Sequence, residues 1–400
     1  MSGTDRISEL SDTVLAHILS YRPTKEAVRT CLLSKRWRKV WASVPVLDFD
    51  FADFLSKDKD IRVESECHSN FVQFIDAVLD LQQSQKLDRF RMVWHWQVRS
   101  YRYYDLPVRR WIPLILQKMP RVLSIYVQSN GVIVDVPDLA FTCSSLEEMK
   151  LKVDVNASFK VLNPVSIRLP HLRKLNLGCF TIKADCMNEL LMGCPNLGEM
   201  ELYACVLDFS QISCGNLKSL VIAGCYYLSA EIRVSIPSLQ YLEVAVMSGQ
   251  TAGFVFENMS SLVRACVCFL TVDFWDWKFS DSETKILNGL LGVTNVHVVL
   301  YGSRAKDKPD EIEFLMELRG LVGDHRNCRW VESTQGHSFG SLDELEDMSF
   351  QYLKIYDKFV WEEEEDEEEE GQTEEDVEGD EAWLEAIAGE HVEADLEEDK

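Results

Sequence analysis

A short apolar motif recurs nine times through the middle of this 400-residue chain. Its form is L-x-x-L-x-L, with other apolar residues allowed at the L positions, and its copies begin at Leu87, Val122, Leu146, Leu172, Leu197, Leu217, Leu239, Leu262 and Val293. Successive copies start 20 to 35 residues apart. Apolar residues at alternate positions predict a short strand with one buried face. A unit this short cannot bury that face alone, so the units must stack on one another.

The period and the motif are typical of leucine-rich repeats, in which a strand is followed by a helix or an irregular turn. They predict a curved α/β solenoid over residues 85–300. Cys205 and Cys225 each follow the last apolar position of a repeat by three residues, where a buried small polar residue can bond the turning backbone. The GCPNL segment at 193–197 should end a short helix, which Asp185 can cap.

Amphipathic helices are predicted on both sides of the first motif. Residues 51–84 should form a helical linker or N-terminal cap, because apolar residues recur there at helical spacing, namely at Phe71, Phe74, Ile75, Val78 and Leu79. A second helix is expected near residues 107–118. After the repeats, residues 301–361 should form a C-terminal cap, in which EIEFLMELRGLVG looks helical and DHRNCRWVE looks like a strand.

Residues 6–50 hold three short helical patterns with more apolar surface than so small a unit can bury. Ser11 or Asp12 can cap the first helix, Thr24 the second and Ser34 the third. Exposed apolar patches mark contacts between proteins, so the segment is expected to be a docking module. The apolar candidates for such a patch are Ile7, Leu10, Leu15, Ile18, Leu19, Leu33, Trp37 and Trp41.

This segment resembles a plant-type F-box through DRISEL-SD-VL-HILS, PTKEAVRT-LLSKRWR--W and VP-LDFD, and an F-box domain is assigned to residues 1–50. The stretches SSLEEMKL, RLPHLRKLNL and LLMGCPNLGEMEL resemble the leucine-rich region of plant F-box proteins. The chain is thus similar to the F-box/LRR and F-box/FBD/LRR families. The FBD domain of many such proteins is not recognisable in residues 301–361. The family most often has Pro where this chain has Ser11, and in family complexes that proline rests on the adaptor.

The resemblance implies that the F-box binds a Skp-family adaptor and, through it, a cullin and a RING protein. The residues expected to carry the adaptor contact are Ile7, Leu10, Leu15, Ile18, Leu19, Leu33 and Trp37. The function implied is that of the substrate-recognition subunit of an SCF-type (Skp–cullin–F-box) E3 ubiquitin ligase, with the repeats binding a target protein of unknown identity. The alternative is a non-catalytic leucine-rich-repeat scaffold or decoy without ligase coupling.

The residues between the apolar strand positions should point to the concave face of the solenoid, which is a common binding surface. The candidates for target binding there are Arg89, Arg91, Lys150, Lys152, Lys174, Glu199, Glu201, Tyr203, Tyr241 and Glu243. Asn176, Arg264, Asn295 and His297 should share the face. This surface is expected to be basic in the early repeats and acidic near Glu199 and Glu201.

The sequence holds no phosphate-binding loop, CxxC pair, HExxH motif or paired Cys/His set for zinc. Cys266 and Cys268 come closest to a metal pair, and they are interpreted as one core and one surface position of a strand. We expect no catalytic residue, metal or cofactor in this chain. The basic residues from Lys35 to Lys39 are expected to be a solvated helix face rather than a nucleic-acid site.

The formal net charge of −25 belongs mostly to the end of the chain. Residues 362–400 hold 22 of the 66 acidic residues and one lysine, so the rest of the chain carries a net charge of only −4. A run of like charges predicts a disordered acidic tail, which is solubilising, a lure for a basic partner or a mimic of nucleic acid. Within it, apolar residues around Trp383 are candidates for one or two helical turns.

The start of the sequence has no apolar region typical of a signal peptide, and no apolar run approaches 18 residues. We therefore expect no membrane contact and a location in the nucleus and/or cytoplasm, where the 12 cysteines should be reduced.

Overall fold

The fold was analysed in a computed structural model. It describes residues 7, 9–55, 61–96, 104–105, 107–129, 132–133, 136–155, 160–247, 253–271, 281–290, 292–302 and 328–333. Met1–Glu332 form one compact unit and Ser333–Lys400 form a second. The predictions of an acidic tail at 362–400 and of a helix at 311–323 lie outside the described residues, as does most of the cap expected at 301–361.

The described helices comprise an N-terminal group of three and four that lie between strands. The N-terminal group is α1 (Asp12–Leu19), α2 (Thr24–Arg29) and α3 (Lys35–Ala42), with a 3-10 turn at Thr30–Leu32. The later helices are α4 (Ile61–Leu81), α5 (Val108–Gln117), α6 (Ala184–Gly193) and α7 (Asp281–Gly289). Further 3-10 turns span Phe51–Phe54 and Asp138–Thr142. Both helices predicted beside the first motif are confirmed, and α4 buries all five of its predicted apolar residues.

Each of the nine apolar motifs forms one strand of the main sheet. These strands are β2 (Arg89–Trp96), β4 (Val122–Ser129), β6 (Glu148–Val155), β8 (Lys174–Gly178), β10 (Glu199–Tyr203), β13 (Ser219–Ala223), β16 (Tyr241–Met247), β18 (Arg264–Thr271) and β19 (Asn295–Gly302). They lie side by side in chain order, and each pairs in parallel with the next. The predicted solenoid is therefore confirmed.

Two further strands lie at the ends of the main sheet. They are β1 (Val46–Asp50), which pairs in parallel with β2, and β20 (Cys328–Ser333), which lies beside β19. The strand predicted in DHRNCRWVE is confirmed as β20. The strand β1 is not among the predicted strands, because the sequence pattern places its residues at the end of the F-box.

Shorter strands follow many of the motif strands and form three smaller parallel sheets. The first holds β7 (Lys160–Val161), β9 (Phe180–Lys183), β11 (Val206–Asp208) and β14 (Tyr226–Tyr227). The second holds β12 (Gln211–Ser213), β15 (Glu231–Ser235) and β17 (Gly253–Glu257). The third pairs β3 (Tyr104–Asp105) with β5 (Val132–Ile133). Successive repeats therefore stack as similar coils around one core.

Three consecutive motif strands end in the same left-handed turn. The backbone φ is 64° at Cys179, 48° at Ala204 and 59° at Gly224. The N–H of Ala204 donates to the carbonyl of Ala223 on the next strand at 2.8 Å, and the other two residues make the equivalent bond. An L-residue is strained in this conformation and glycine is not. The turns at Cys179 and Ala204 therefore carry backbone strain that the turn at Gly224 avoids.

The two cysteines predicted to bond the turning backbone lie just after this turn. Cys205 and Cys225 are fully buried. The thiol of Cys205 lies 3.4 Å from the carbonyl oxygen of Tyr203, and that of Cys225 lies 3.5 Å from the carbonyl oxygen of Leu202. In addition, the N–H of Cys205 donates to the sulfur of Cys225 at 3.4 Å. The predicted role of these cysteines is confirmed.

The N-terminal helices share a core with the repeats through β1. Leu47 and Phe49 on this strand are each 1% exposed. The N–H of Asp48 donates to the hydroxyl of Thr24 at 2.7 Å, which links β1 back to α2. The N–H of Gln83, just after α4, donates to the carbonyl of Ala42 at 2.8 Å. Residue 50 is therefore not a boundary between separately packed bodies.

Two predicted helix caps are wrong. Thr24 is the first residue of α2, with Pro23 at the cap position, because its hydroxyl is engaged by Asp48. Asp185 lies in the first turn of α6, and Lys183 occupies the cap position there. None of the described helices combines the length and the apolar character that crossing a membrane requires.

Candidate protein-binding surfaces

The start of α1 is fixed by two contacts. Ser11 occupies the cap position, as predicted, and its hydroxyl accepts a hydrogen bond from the N–H of Val14 at 3.4 Å. The guanidinium of Arg36 on α3 donates to Asp12 at 2.7 Å and also to the carbonyl of Leu10. These bonds hold α1 against α3 and so decide which side of α1 faces inward.

Five of the seven candidate adaptor-binding residues reach the surface. Ile7, Ile18 and Leu33 are exposed by 57%, 49% and 68%, and Leu10 and Trp37 are half-buried. Exposed apolar side chains at this density are unfavourable in water and mark a contact surface. The adaptor-binding role of these residues stays a prediction.

The other two candidates, Leu15 and Leu19, do not lie on the surface. They are 1% and 6% exposed, so they lie in the core, and their adaptor-binding role stays a prediction. Residues four apart share one face of a helix, and α1 turns this face inward. The neighbouring face, about 100° around the helix, carries Val14 and Ile18 to solvent. Their apolar spacing alone could not show which of two apolar faces is covered.

Three exposed apolar residues in this region were not predicted as site residues. They are Val14, Tyr21 and Leu32, of which Tyr21 is the most exposed at 76%. The apolar character of Val14 and Leu32 is the available signal in the sequence, but apolar residues at helical spacing also fit a buried face. Together with Ile7, Ile18 and Leu33 they form the set that we call the F-box surface.

The residues between the buried strand positions form three rows across one face of the main sheet, which we call the polar face. Strand register aligns Arg89, Glu148, Lys174, Glu199, Tyr241 and Arg264 in the first row. The second row holds Asp48, Arg91, Ser124, Lys150, Asn176, Glu201, Val221, Glu243, Cys266 and His297. The third holds Asp50, Tyr126, Lys152, Gly178, Tyr203, Ala223, Ala245 and Cys268. All ten residues predicted to bind a target thus lie on this face, and their target-binding role stays a prediction.

The early repeats are less basic than the sequence predicts, because β1 adds two carboxylates. The guanidinium of Arg91 donates to Asp48 at 2.6 Å and to Asp50 at 3.3 Å. Further along, the ammonium of Lys152 lies 4.8 Å from the centre of the Tyr126 ring, which is a cation–π distance. The acids of β1 therefore neutralise part of the predicted positive charge.

The acidic part of the polar face begins with a cluster that is partly neutralised. The ammonium of Lys174 lies 2.9 Å from a Glu199 oxygen and 3.2 Å from a Glu201 oxygen. The side-chain amide of Asn176 donates to Glu201 at 2.6 Å, and the hydroxyl of Tyr203 donates to the same oxygen at 3.4 Å. Glu201 is thus held by three neighbours, one of which is a cation.

Glu243 has a different environment two strands away. It is 6% exposed, and the hydroxyl of Tyr241 on the same strand donates to it. Burial raises the pKa of the Glu243 carboxyl to about 7; the hydrogen bond from Tyr241 lowers that pKa, and the charge of Glu201 raises it. A buried carboxyl with this pKa is only partly ionised at neutral pH.

Cys266 and Cys268 both lie beside Glu243 on the polar face. The prediction that one is a core position and the other a surface position is wrong, because residues two apart in a strand point to the same side. Burial raises the pKa of the Cys268 thiol to about 12. Elsewhere, burial raises the thiol pKa of Cys186 to about 11 and that of Cys194 to about 12. These thiols are protonated at neutral pH.

Within the described segments, no group of three or more His, Cys, Asp and Glu side chains could hold a metal ion. The geometry offers two candidate surfaces for protein contacts, an apolar one on the N-terminal helices and a polar one on the sheet. Together they define a modular binding protein in which an F-box-like docking unit is joined to a leucine-rich-repeat solenoid.

Comparison with known proteins identifies both parts. Residues 7–49 match the F-box domain, and residues 108–265 match the model described as "FBD-associated F-box protein At5g56370, LRR repeats". The chain is 30% identical over 274 residues to the F-box/LRR-repeat protein At4g14103 of Arabidopsis thaliana, covering 66% of this chain and 68% of that one. The chain belongs to the plant F-box/LRR-repeat family.

Two other Arabidopsis thaliana relatives match less of their own length. The putative F-box/LRR-repeat protein At3g59160 is 30% identical over 315 residues, which is 70% of this chain and 64% of that protein. The putative F-box/LRR-repeat protein At5g41840 is 33% identical over 207 residues, which is 50% of this chain and 37% of that protein. The chain therefore spans between about one third and two thirds of these two relatives.

Proposed function

We propose that this chain is the substrate-recognition subunit of an SCF-type (Skp–cullin–F-box) E3 ubiquitin ligase. The F-box binds a Skp-family adaptor, which links the chain to a cullin and a RING protein, and the repeats bind a target protein. The chain acts without a catalytic group, in the nucleus and/or cytoplasm. Holding a target beside a ubiquitin-carrying enzyme raises the effective concentration of its lysines, which accelerates transfer without a reacting residue in the receptor.

The F-box surface is the observation that supports this proposal most directly. Ile18 on α1 and Leu33 after α2 expose about half or more of their side chains, although the buried residues of the same helices complete a core. An F-box generally binds a Skp-type adaptor, and an apolar surface on the F-box fits that contact. The polar face is a second and chemically different surface, as a receptor that must hold two partners requires.

Co-purification with a Skp-family adaptor tests the proposal. The double variant Ile18→Ala with Leu33→Ala removes exposed apolar surface without touching the core, and it should lower adaptor recovery by about tenfold or more. The matched control is Val165→Ala with Met192→Ala, which removes side chains that are 84% and 82% exposed in the repeat region. The control should bind the adaptor like the unchanged chain.

The alternative is a non-catalytic scaffold or decoy that holds a target without ligase coupling. The residue that favours it is Ser11, which stands where the family usually has the proline that rests on the adaptor. A folded full chain that recovers no adaptor would establish this alternative and refute the receptor proposal. Accumulation of a bound protein in cells that lack the chain would instead support the receptor.

A further inference from the structure

Four side chains form a mixed acidic and aromatic site in the middle of the polar face. Glu201 and Tyr203 lie on β10, and Tyr241 and Glu243 lie on β16; we call them the Glu–Tyr cluster. Strand register places Glu201 and Glu243 in one row, with Val221 between them. Two strand spacings separate the backbones of the two glutamates by about 10 Å.

An ion pair is made at one end of the cluster only, although Arg264 faces Tyr241 from β18 and its charge acts on that tyrosine. Glu201 contacts the ammonium of Lys174, whereas Glu243 makes no ion pair with the residues that the structure describes. From β10 to β18, the second and third rows contain Glu201, Val221, Glu243, Cys266, Tyr203, Ala223, Ala245 and Cys268, with no lysine or arginine. Glu243 is nine-tenths buried, and a buried carboxylate without a cation is costly.

A cation at Glu243 would remove that cost. A hard metal ion needs several oxygen ligands, and the described residues offer no set of three, so an organic cation fits better. Because Glu243 is recessed, only a long side chain can reach it. Tyr203 and Tyr241 flank the site, and aromatic rings stabilise cations that approach their faces.

We propose that the Glu–Tyr cluster binds an arginine or lysine side chain of the target protein, with Glu243 as the partner of its charge. This inference rests on the proposed function, since it names the class of target segment that the receptor selects. Glu201 contributes a second carboxylate in the same row, and its bond to Lys174 keeps it oriented. The target segment is therefore basic, in contrast to the acidic end of this chain.

The pH dependence of binding should report on Glu243. The groups that face it are Tyr241 on its own strand, Glu201 on β10, and Cys266 and Cys268 on β18, while Arg264 precedes these cysteines. Burial raises the pKa of the tyrosine and of both thiols above their usual values, so they stay neutral near pH 7. Capture of a basic segment should strengthen as the pH rises through about 7, because Glu243 then ionises.

Short random peptides with one central position fixed as Arg, Lys, Ala or Glu provide the probe, and the full chain is immobilised. The unchanged chain should capture the Arg or Lys peptides about tenfold more than the Ala peptides. Glu243→Gln should abolish this preference. The matched control Glu189→Gln removes an exposed carboxylate of α6, outside the three rows of the polar face, and should keep the preference within about twofold.

Three results would overturn the proposal. The unchanged chain could capture the Arg and Lys peptides no better than the Ala peptides, or it could prefer the Glu peptides. The preference for Arg or Lys peptides could also survive Glu243→Gln. Thermal unfolding of each variant shows whether it is folded, and a neutral Gln is compatible with the buried site. Adaptor recovery is measured on the same samples. Loss of adaptor binding in the unchanged chain counts against the proposed function, whereas an unchanged adaptor with no basic preference counts against the Glu–Tyr cluster alone.

Discussion

Replacing Phe49 tests whether the F-box and the repeats share one core. Phe49 lies on β1, is 1% exposed and packs its ring 5.8 Å from those of both Phe74 and Phe90. These neighbours belong to α4 and β2. Replacement of a buried phenylalanine by alanine costs about 3–5 kcal/mol, through lost burial and the cavity that remains. Two lost aromatic contacts place the expected loss for Phe49→Ala at about 4 kcal/mol.

Urea unfolding followed by amide hydrogen exchange is the appropriate assay. Because β1 pairs with β2 along Val46–Asp50, weakening β1 should speed the exchange of the β2 amides as well as those of α3. The control Leu55→Ala removes a side chain that is 48% exposed beside the same segment, and it should change the free energy of unfolding by less than about 0.5 kcal/mol.

Separate behaviour of the two regions would refute this reasoning. If the F-box were an independent domain on a linker, Phe49→Ala would lower only an early transition of the N-terminal helices. The β2 and β4 amides would then exchange at the rate of the unchanged chain. A stability loss below about 1 kcal/mol would also contradict the close packing of Phe49.

Three further changes have expected signs. Gly224 and Ala204 both have a positive φ. Gly224→Ala should therefore lower the free energy of unfolding by about 1 kcal/mol, and Ala204→Gly should raise it by about 0.5 kcal/mol. Changes of the same sign for both variants in urea melts would contradict the strain at this turn. Ser11→Ala should lower the free energy of unfolding by about 1 kcal/mol because the helix cap is lost. Ser11→Pro should lower it less, because the φ of −70° at this position suits proline. Calorimetry of both variants checks this order. The native pKa of Glu243 is raised from 4.5 to about 7, so this group makes stability fall as the pH rises between these values. Glu243→Gln should therefore be more stable than the unchanged chain by roughly 2–3 kcal/mol at pH 8 and by much less at pH 5. If the urea midpoints of the two chains differed by the same amount at both pH values, this reasoning would be refuted.

The repeats could be predicted because the motif is local in sequence and recurs many times along the chain. Each motif has its own alternation of buried and exposed residues, and no long-range information is needed to recognise it. The missed strand β1 carries the same signal: Val44, Leu47 and Phe49 match the three apolar positions of the motif. All three are buried. These residues also complete the F-box pattern, so one segment serves both the F-box and the first strand of the sheet.

The surfaces were harder to predict because they depend on packing between elements. On α1 the sequence shows apolar residues on two faces, and only the contact with α3 decides that Leu15 is buried while Ile18 is exposed. On the sheet the sequence shows charges but not their partners. Glu201 is held by Lys174 from the next strand, whereas Glu243 is recessed without a cation among the described residues. This difference separates a carboxylate that is already paired from one that could pair with a cation of the target.

The continuity of β1 with the repeats has a consequence for the proposed receptor. Seven strand steps lead along the main sheet from β1 to β16, which carries Glu243. At about 4.8 Å a step, the Glu–Tyr cluster lies roughly 34 Å along the sheet from the strand that ends the F-box. The hydrogen-bonded sheet offers no linker in this path, so a target held at the cluster takes a fixed distance and orientation relative to the adaptor. Selection among the lysines of a target would then be set by the geometry of the sheet as well as by affinity for the polar face.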